Sequence, residues 1–346
     1  MRRNCVKGSV RSMKGLELAR AYYEQCGKPM LAEQFPELTD RIAVGLFGSG
    51  SECYGFDDAV SRDHDFEPGF CIFLPGEDVI DENTSFRLER AYARLPKEFE
   101  GCYRSLLTPV GGKRHGVFRA ADYFKERCGS ADGRLDLGQW LTTPQYVLSE
   151  LTNGEIFSDP SGLVTTIRER LNAMPEAVLF KRLAGNLLLM NQAGQYNYAR
   201  CLKRGEKAAA QLAANEFVNA TLQTVFLLNR VYLPYYKWSF RALHSLPLLS
   251  ETAEALELLL EKGNDEADSV LKNAAVEDVC RRVVKELLAQ GFSGSDDPDL
   301  EKQASLVNRK IADSEVRNLD ILSAVWNFVN FKKRDCISID SLFITS

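Results

Sequence analysis

The 346-residue chain has only three histidines and three tryptophans, and nowhere does it carry Cys-x-x-Cys. With no ligand spacing among its histidines and no paired cysteines, neither a structural zinc site nor a thioredoxin-like pair is expected. Nine cysteines lie scattered at 5, 26, 53, 71, 102, 128, 201, 280 and 336. That odd, unpatterned set reads as reduced, mostly buried thiols in a cytoplasmic protein. Apolar runs approaching the ~18–20 residues of a membrane span are missing, so no membrane association is expected. The basic start Met1–Lys7 leads into no apolar segment of signal-peptide length, so no secretory leader is expected. Excess positive charge is missing too: Lys+Arg number 43 against 48 Asp+Glu, net −5. A protein that coats nucleic acid needs a basic face, so that class is not indicated, although a local basic cleft is compatible with this balance. No internal repeat is found.

What the chain does have is core material: 45% hydrophobic residues, including 19 Phe and 12 Tyr, which excludes disorder of the whole chain. At ~100–200 residues per domain, two domains are expected. Residues 12–34 read as a helix, with Gly27 where a C-terminal cap would sit. Ile42–Phe47 is a short apolar run entering Gly-Ser-Gly-Ser, the pattern of a buried strand leading into a turn. A second extended segment runs from near His64 through Phe70–Leu74 to Pro75-Gly76. Helices are expected over 84–99 and 117–127, and a half-buried strand over Arg134–Gly138. After Pro160 the pattern turns helical: Leu163–Leu171, Glu176–Met190, Asn197–Leu228, Tyr235–Leu243, Thr252–Leu260, Val276–Leu288 and Leu300–Trp326. Cys336–Asp340 alternates like one further strand. The expected architecture is α+β, with a mixed-sheet domain over 1–160 and a helical bundle over 161–346.

Residues 45–66 carry the chemistry. Glycines at 48 and 50 let backbone amides approach a ligand closely, and Ser49 and Ser51 add hydroxyl donors. Asp63 and Asp65 are two apart, so on a strand both carboxylates share a face. Adjacent carboxylates repel unless a cation lies between them, and Mg²⁺ with phosphate oxygens is the usual partner. Residues 51–68 hold six acids and one base, a field that needs a cation or abundant solvent. Asp57-Asp58 reads as a turn or helix-end pair. Arg200, Lys203, Arg204 and Lys207 read as a solvated helix face.

A strand, a Gly-Ser turn and a later Asp-x-Asp resemble the nucleotidyltransferase superfamily, the DNA polymerase beta-like group. Eleven residues separate Ser51 from Asp63, within that pattern, and thirteen separate Ser49 from it. Gly50-Ser51 with Gly55 is the preferred match, and Gly48-Ser49 stays open. More closely, Met13–Leu18, Gly50–Asp58 and Ser61–Asp65 look like the family called domain of unknown function 4037, over most of the first 160 residues and at Tyr232–Trp238.

The resemblance implies an Mg²⁺-dependent enzyme that moves a nucleoside monophosphate from an NTP, expected to be ATP, to an unidentified acceptor hydroxyl. It implies metal held by Asp63 and Asp65, and phosphates held by Gly48, Ser49, Gly50 and Ser51. A third carboxylate on a later strand is expected at Asp136, as metal ligand or general base. Lys237 is expected to reach the triphosphate from the helical domain. Arg62 directly before Asp63 and His64 between the aspartates depart from the family pattern. They leave open a nucleotide-binding regulatory or antitoxin-like protein with a degenerate site.

Overall fold

The computed structural model describes residues 13–58, 60, 66–104 and 114–325. Asp63 and Asp65 lie outside the described residues, as does the strand expected over 336–340. The chain is α+β and divides into two compact units. One holds residues 1–135 and 147–173, the other 136–146 and 174–346. The division expected after residue 160 thus falls inside the first unit.

Among the described residues the first unit has six short strands: β1 (Ala43–Leu46), β2 (Cys71–Leu74), β3 (Glu98–Phe99), β4 (Cys102–Tyr103), β5 (Gly116–Arg119) and β6 (Glu155–Ser158). β3 and β4 form a hairpin; the others make a mixed sheet in the order β5-β2-β1-β6. β1 is antiparallel to β2, with Val44 opposite Ile72, and antiparallel to β6, with Leu46 opposite Glu155. β2 and β5 run parallel. β1 and β2 are buried along their whole length, which is why both read as unbroken apolar runs.

Helix Gly15–Tyr22 continues through one wider turn, Tyr23–Gly27, into helix Lys28–Gln34. Gly27 therefore lies inside the helical stretch and caps nothing. A Cβ there would strike the Phe70 ring, so its absence lets Phe70 seat among Tyr22, Tyr23 and Tyr92. The Tyr92 hydroxyl closes this core by donating to the Phe70 carbonyl (2.8 Å) and accepting from the Phe70 N–H (3.1 Å). Those two bonds engage the buried backbone N–H and carbonyl of Phe70 just ahead of β2, where the carbonyl also accepts from the Gly116 N–H.

Two expected elements change character. The helix foreseen over 117–127 begins as β5, because Phe118 stacks on Phe73 of the neighbouring strand; helix Ala120–Cys128 follows. The strand foreseen over Arg134–Gly138 is absent. Gly133 turns the chain at φ +78°, and Asp136 caps helix Leu137–Thr142 instead. A five-residue alternation is too weak to outweigh a capping box, Asp136 with Gln139 at the third helical position.

The second unit is helical. Glu176–Met190 packs against Lys207–Leu228 and Leu300–Arg309, around a core of Leu, Val and Phe. The single helix expected over Asn197–Leu228 is broken, because Gly205 adopts φ +77° between Ala199–Lys203 and Lys207–Leu228. Arg200, Lys203, Arg204 and Lys207 consequently do not form one continuous helix face. Three buried cations tie the bundle together. Lys181 donates to Asn308 and to the carbonyls of Arg317 and Leu319, and Lys272 to Gln211 and Asn264. Arg182 donates to the carbonyls of Trp140 and Thr143, at the C-terminal end of helix Leu137–Thr142. Among the described residues no helix is long and apolar enough to cross a membrane.

Candidate functional site

The turn after β1 opens on a polar cavity of about 150 Å³ within the first unit. Gly48, Ser49 and Gly50 contribute backbone and one hydroxyl. Arg114 comes from the approach to β5, Arg127 and Tyr123 from helix Ala120–Cys128, and Glu150 from helix Gln145–Thr152. Ser49 is exposed at the cavity, whereas Ser51 starts the short turn Ser51–Tyr54 and does not line it.

The turn is held from a distance. Asn153 grips Gly48 with both ends of its carboxamide: its oxygen accepts from the Gly48 N–H (2.9 Å) and its NH₂ donates to the Gly48 carbonyl (2.8 Å). Gly48 sits at φ +137°, a conformation that favours glycine. The Gly154 N–H donates to the Cys53 carbonyl (2.9 Å), tying the chain before β6 to the far end of the turn. Arg168 in turn donates to the carbonyls of Thr152 and Asn153, with its guanidinium over the Phe47 ring at 5.0 Å. None of Asn153, Gly154 or Arg168 was singled out from sequence: Asn153 and Gly154 reach partners about 100 residues away, and the Arg168 guanidinium bonds to the chain segment that carries them.

Two of the quoted motifs meet here. Asp57, 5% exposed, accepts from the Gly15 N–H (2.9 Å) at the start of helix Gly15–Tyr22, and its carbonyl accepts from the Lys14 ammonium (2.6 Å). Asp57 thus serves the start of a helix 42 residues earlier in the chain, not an end of its own segment.

Two guanidiniums, Arg114 and Arg127, and two carboxylates, Glu52 and Glu150, line the cavity. Arg114 pairs with Glu52 at 2.5 Å, and a Cβ on Gly50 would collide with that pair, so glycine is needed there for packing. The Arg127 guanidinium lies 3.6 Å from the Tyr123 ring centre and donates to the Tyr123 carbonyl. Burial pushes the Tyr123 hydroxyl up, so it stays protonated as a donor. Burial likewise pushes the Cys53 thiol well up, which favours the neutral thiol over the thiolate.

Among the described residues, no three His, Cys, Asp or Glu side chains come together to hold a metal ion. Asp136 does not supply the expected strand carboxylate. It is exposed, lies in the second unit, and accepts from the Gln139 N–H (2.7 Å) as a helix cap. The backbone N–H groups, the Ser49 hydroxyl and the guanidiniums around the turn are hydrogen-bond donors, which suit a phosphate and not Mg²⁺. Lys237 is exposed as the second residue of helix Tyr236–Leu243, in the second unit, with its ammonium 5.1 Å from the Trp238 ring centre.

Residues 140–239 match the family described as Domain of unknown function (DUF4037). The DUF4037 match takes in Glu150 and the Asn153–Gly154 clasp of the first unit, then Arg182 and Tyr232–Trp238 of the second. It includes the aromatic segment expected to carry the likeness, but of the first 160 residues only the last stretch. No curated protein matches the chain.

Proposed function

We propose that the chain is an Mg²⁺-dependent nucleotidyltransferase whose phosphate site is the cavity after β1. The observation that carries this reading is a buried strand leading into Gly48-Ser49-Gly50, beside the guanidiniums of Arg114 and Arg127, around a polar cavity of about 150 Å³ that Glu52 and Glu150 also line. Backbone N–H groups, a hydroxyl and arginines are the usual means of holding phosphoryl oxygens. Asp63 and Asp65, on the approach to β2, would hold the metal, which neutralises charge on the transferring phosphoryl group. The transfer joins the acceptor oxygen to the α-phosphorus and releases pyrophosphate. ATP as donor and a hydroxyl-bearing acceptor follow from the superfamily resemblance. The placement of Ser49 favours Gly48-Ser49 over Gly50-Ser51 as the phosphate turn.

A second reading is nucleotide binding without transfer. It is favoured by Asp136 capping a helix, which takes away the third carboxylate expected from sequence, and by Glu52 pairing with Arg114 in the cavity. Pyrophosphate release from ATP, with candidate hydroxyl acceptors and Mg²⁺, separates the two. Release that is lost in Asp63→Asn and Asp65→Asn supports transfer. ATP binding with no release under any acceptor supports the second reading, and no binding removes both.

A further inference from the structure

Within the second unit a cavity of about 790 Å³ opens beside helix Lys207–Leu228. Its size is in the range of ~300–1,000 Å³ typical of small-molecule sites. Part of its lining is a row of carboxamides, Asn215, Asn219 and Gln223, spaced by four on one helix face, joined by Asn186 from helix Glu176–Met190.

These carboxamides are only half engaged. Asn186 donates its NH₂ to the Arg182 carbonyl, and its oxygen has no partner among the described residues. Asn215 and Gln223 use their oxygens to accept from Gln211 and Gln145, which leaves each NH₂ without a partner among the described residues. Asn219 is exposed and bonds to no described residue. The cavity therefore presents donors and acceptors side by side.

The mouth is aromatic. Tyr235 lies 5.7 Å from Tyr146 and 4.5 Å from Tyr236, ring centre to ring centre, and Tyr146 and Tyr236 are 40% and 74% exposed. Among the described residues no Asp, Glu, Lys or His lines the cavity. The charged group among the described lining residues, Arg182, donates to two backbone carbonyls. Most of the lining falls inside the 140–239 family match.

We propose that this cavity binds a neutral nitrogen heterocycle of nucleobase or nucleoside size. Alternating donors and acceptors suit the hydrogen-bonding edge of such a ring, and exposed tyrosines suit its flat face. A described lining without carboxylates or ammonium groups disfavours a cation or a polyphosphate. This proposal stands apart from the phosphate site of the first unit and does not rest on it.

The test uses the full chain without Mg²⁺, titrated with adenosine, guanosine, cytidine and uridine by calorimetry and saturation-transfer NMR, with ribose and glucose as sugar probes. The expected result is that at least one nucleoside binds and neither sugar does. Asn219→Ala should weaken that nucleoside by about two- to tenfold, for one neutral hydrogen bond. Tyr236→Ala should weaken it by about five- to 100-fold, for one stacked ring. Ser49→Ala should leave it unchanged. Both variant positions are exposed, and in the wild type hydrogen exchange should slow over 215–223 and 235–240 when the nucleoside is bound. Absence of nucleoside binding at millimolar concentration would overturn the proposal. So would affinity unmoved by both variants, exchange unmoved in those segments, or binding of the sugars alone. None of these results alters MgATP binding at the β1 turn, which is measured separately.

Discussion

Replacing Asn153 by alanine removes both hydrogen bonds that fix Gly48, the first residue of the phosphate turn. The bonds measure 2.9 and 2.8 Å, and Gly48 and Asn153 are both half-buried. A neutral bond of this kind contributes about 0.5–1.5 kcal/mol net, so the pair should contribute about 1–3 kcal/mol to the local stability of the turn. At about 1.4 kcal/mol per tenfold, that is about a five- to 150-fold acceleration of hydrogen exchange at the Gly48 amide. Exchange read by mass spectrometry on peptides covering 45–50 measures it, with β2 peptides as the internal reference. Asn153→Asp should act in the same direction: it keeps an acceptor for the Gly48 N–H but sets a carboxylate oxygen against the Gly48 carbonyl. If exchange over 45–50 stays within about twofold of wild type in Asn153→Ala, the carboxamide does not hold the turn and the reasoning fails.

Gly154→Ala should destabilise the first unit by more than about 1 kcal/mol, seen as a lowered Tm. Gly154 sits at φ +60°, and its new Cβ would strike the Leu46 carbonyl and the Phe47 backbone. Asp136→Ala should lower stability by about 0.5–2 kcal/mol through loss of the helix cap, whereas Asp136→Asn should change it little, and neither should alter nucleotide affinity. An affinity loss in Asp136→Asn, read by calorimetry, would restore the carboxylate to the site. Burial pushes the Tyr54 hydroxyl from 10.0 up to about 12, with its bond to Ser149 opposing. The unfolded chain therefore releases this proton first. The contribution of Tyr54 to stability is complete below pH 10 and is lost as pH rises through about 12. Tyr54→Phe should flatten the fall of stability across that window in alkaline denaturation, and an unchanged slope would contradict the assignment.

The strands and turn that position the site were legible in sequence where burial is two-sided. Ala43–Leu46 and Cys71–Leu74 appear as continuous apolar runs because both faces are covered. β6 was not legible: Glu155–Ser158 is only half-buried, so four residues show neither alternation nor a run. Arg114 and the Asn153 clasp escaped for another reason. Each belongs to the site only through a contact far along the chain, 62 residues for Arg114–Glu52 and 105 for Asn153–Gly48. Local pattern carries no record of such pairs. Asp136 is the opposite case, since Asp-Leu-Gly-Gln is a readable capping box that the flanking leucines disguised as a strand. The broken helix at Gly205 was readable from glycine alone, and the bundle helices on either side of it follow from their apolar spacing.

The central claim, a phosphate site at Gly48-Ser49 served by metal on Asp63 and Asp65, is tested most directly by calorimetric titration of ATP with and without Mg²⁺. Wild-type chain should bind ATP only with Mg²⁺. Ser49→Ala should lose about 0.5–3 kcal/mol of that affinity, and more than Ser51→Ala does. Asp63→Asn should abolish the metal dependence. ATP binding that ignores Mg²⁺, or equal affinity in wild type, Ser49→Ala and Asp63→Asn, would contradict it.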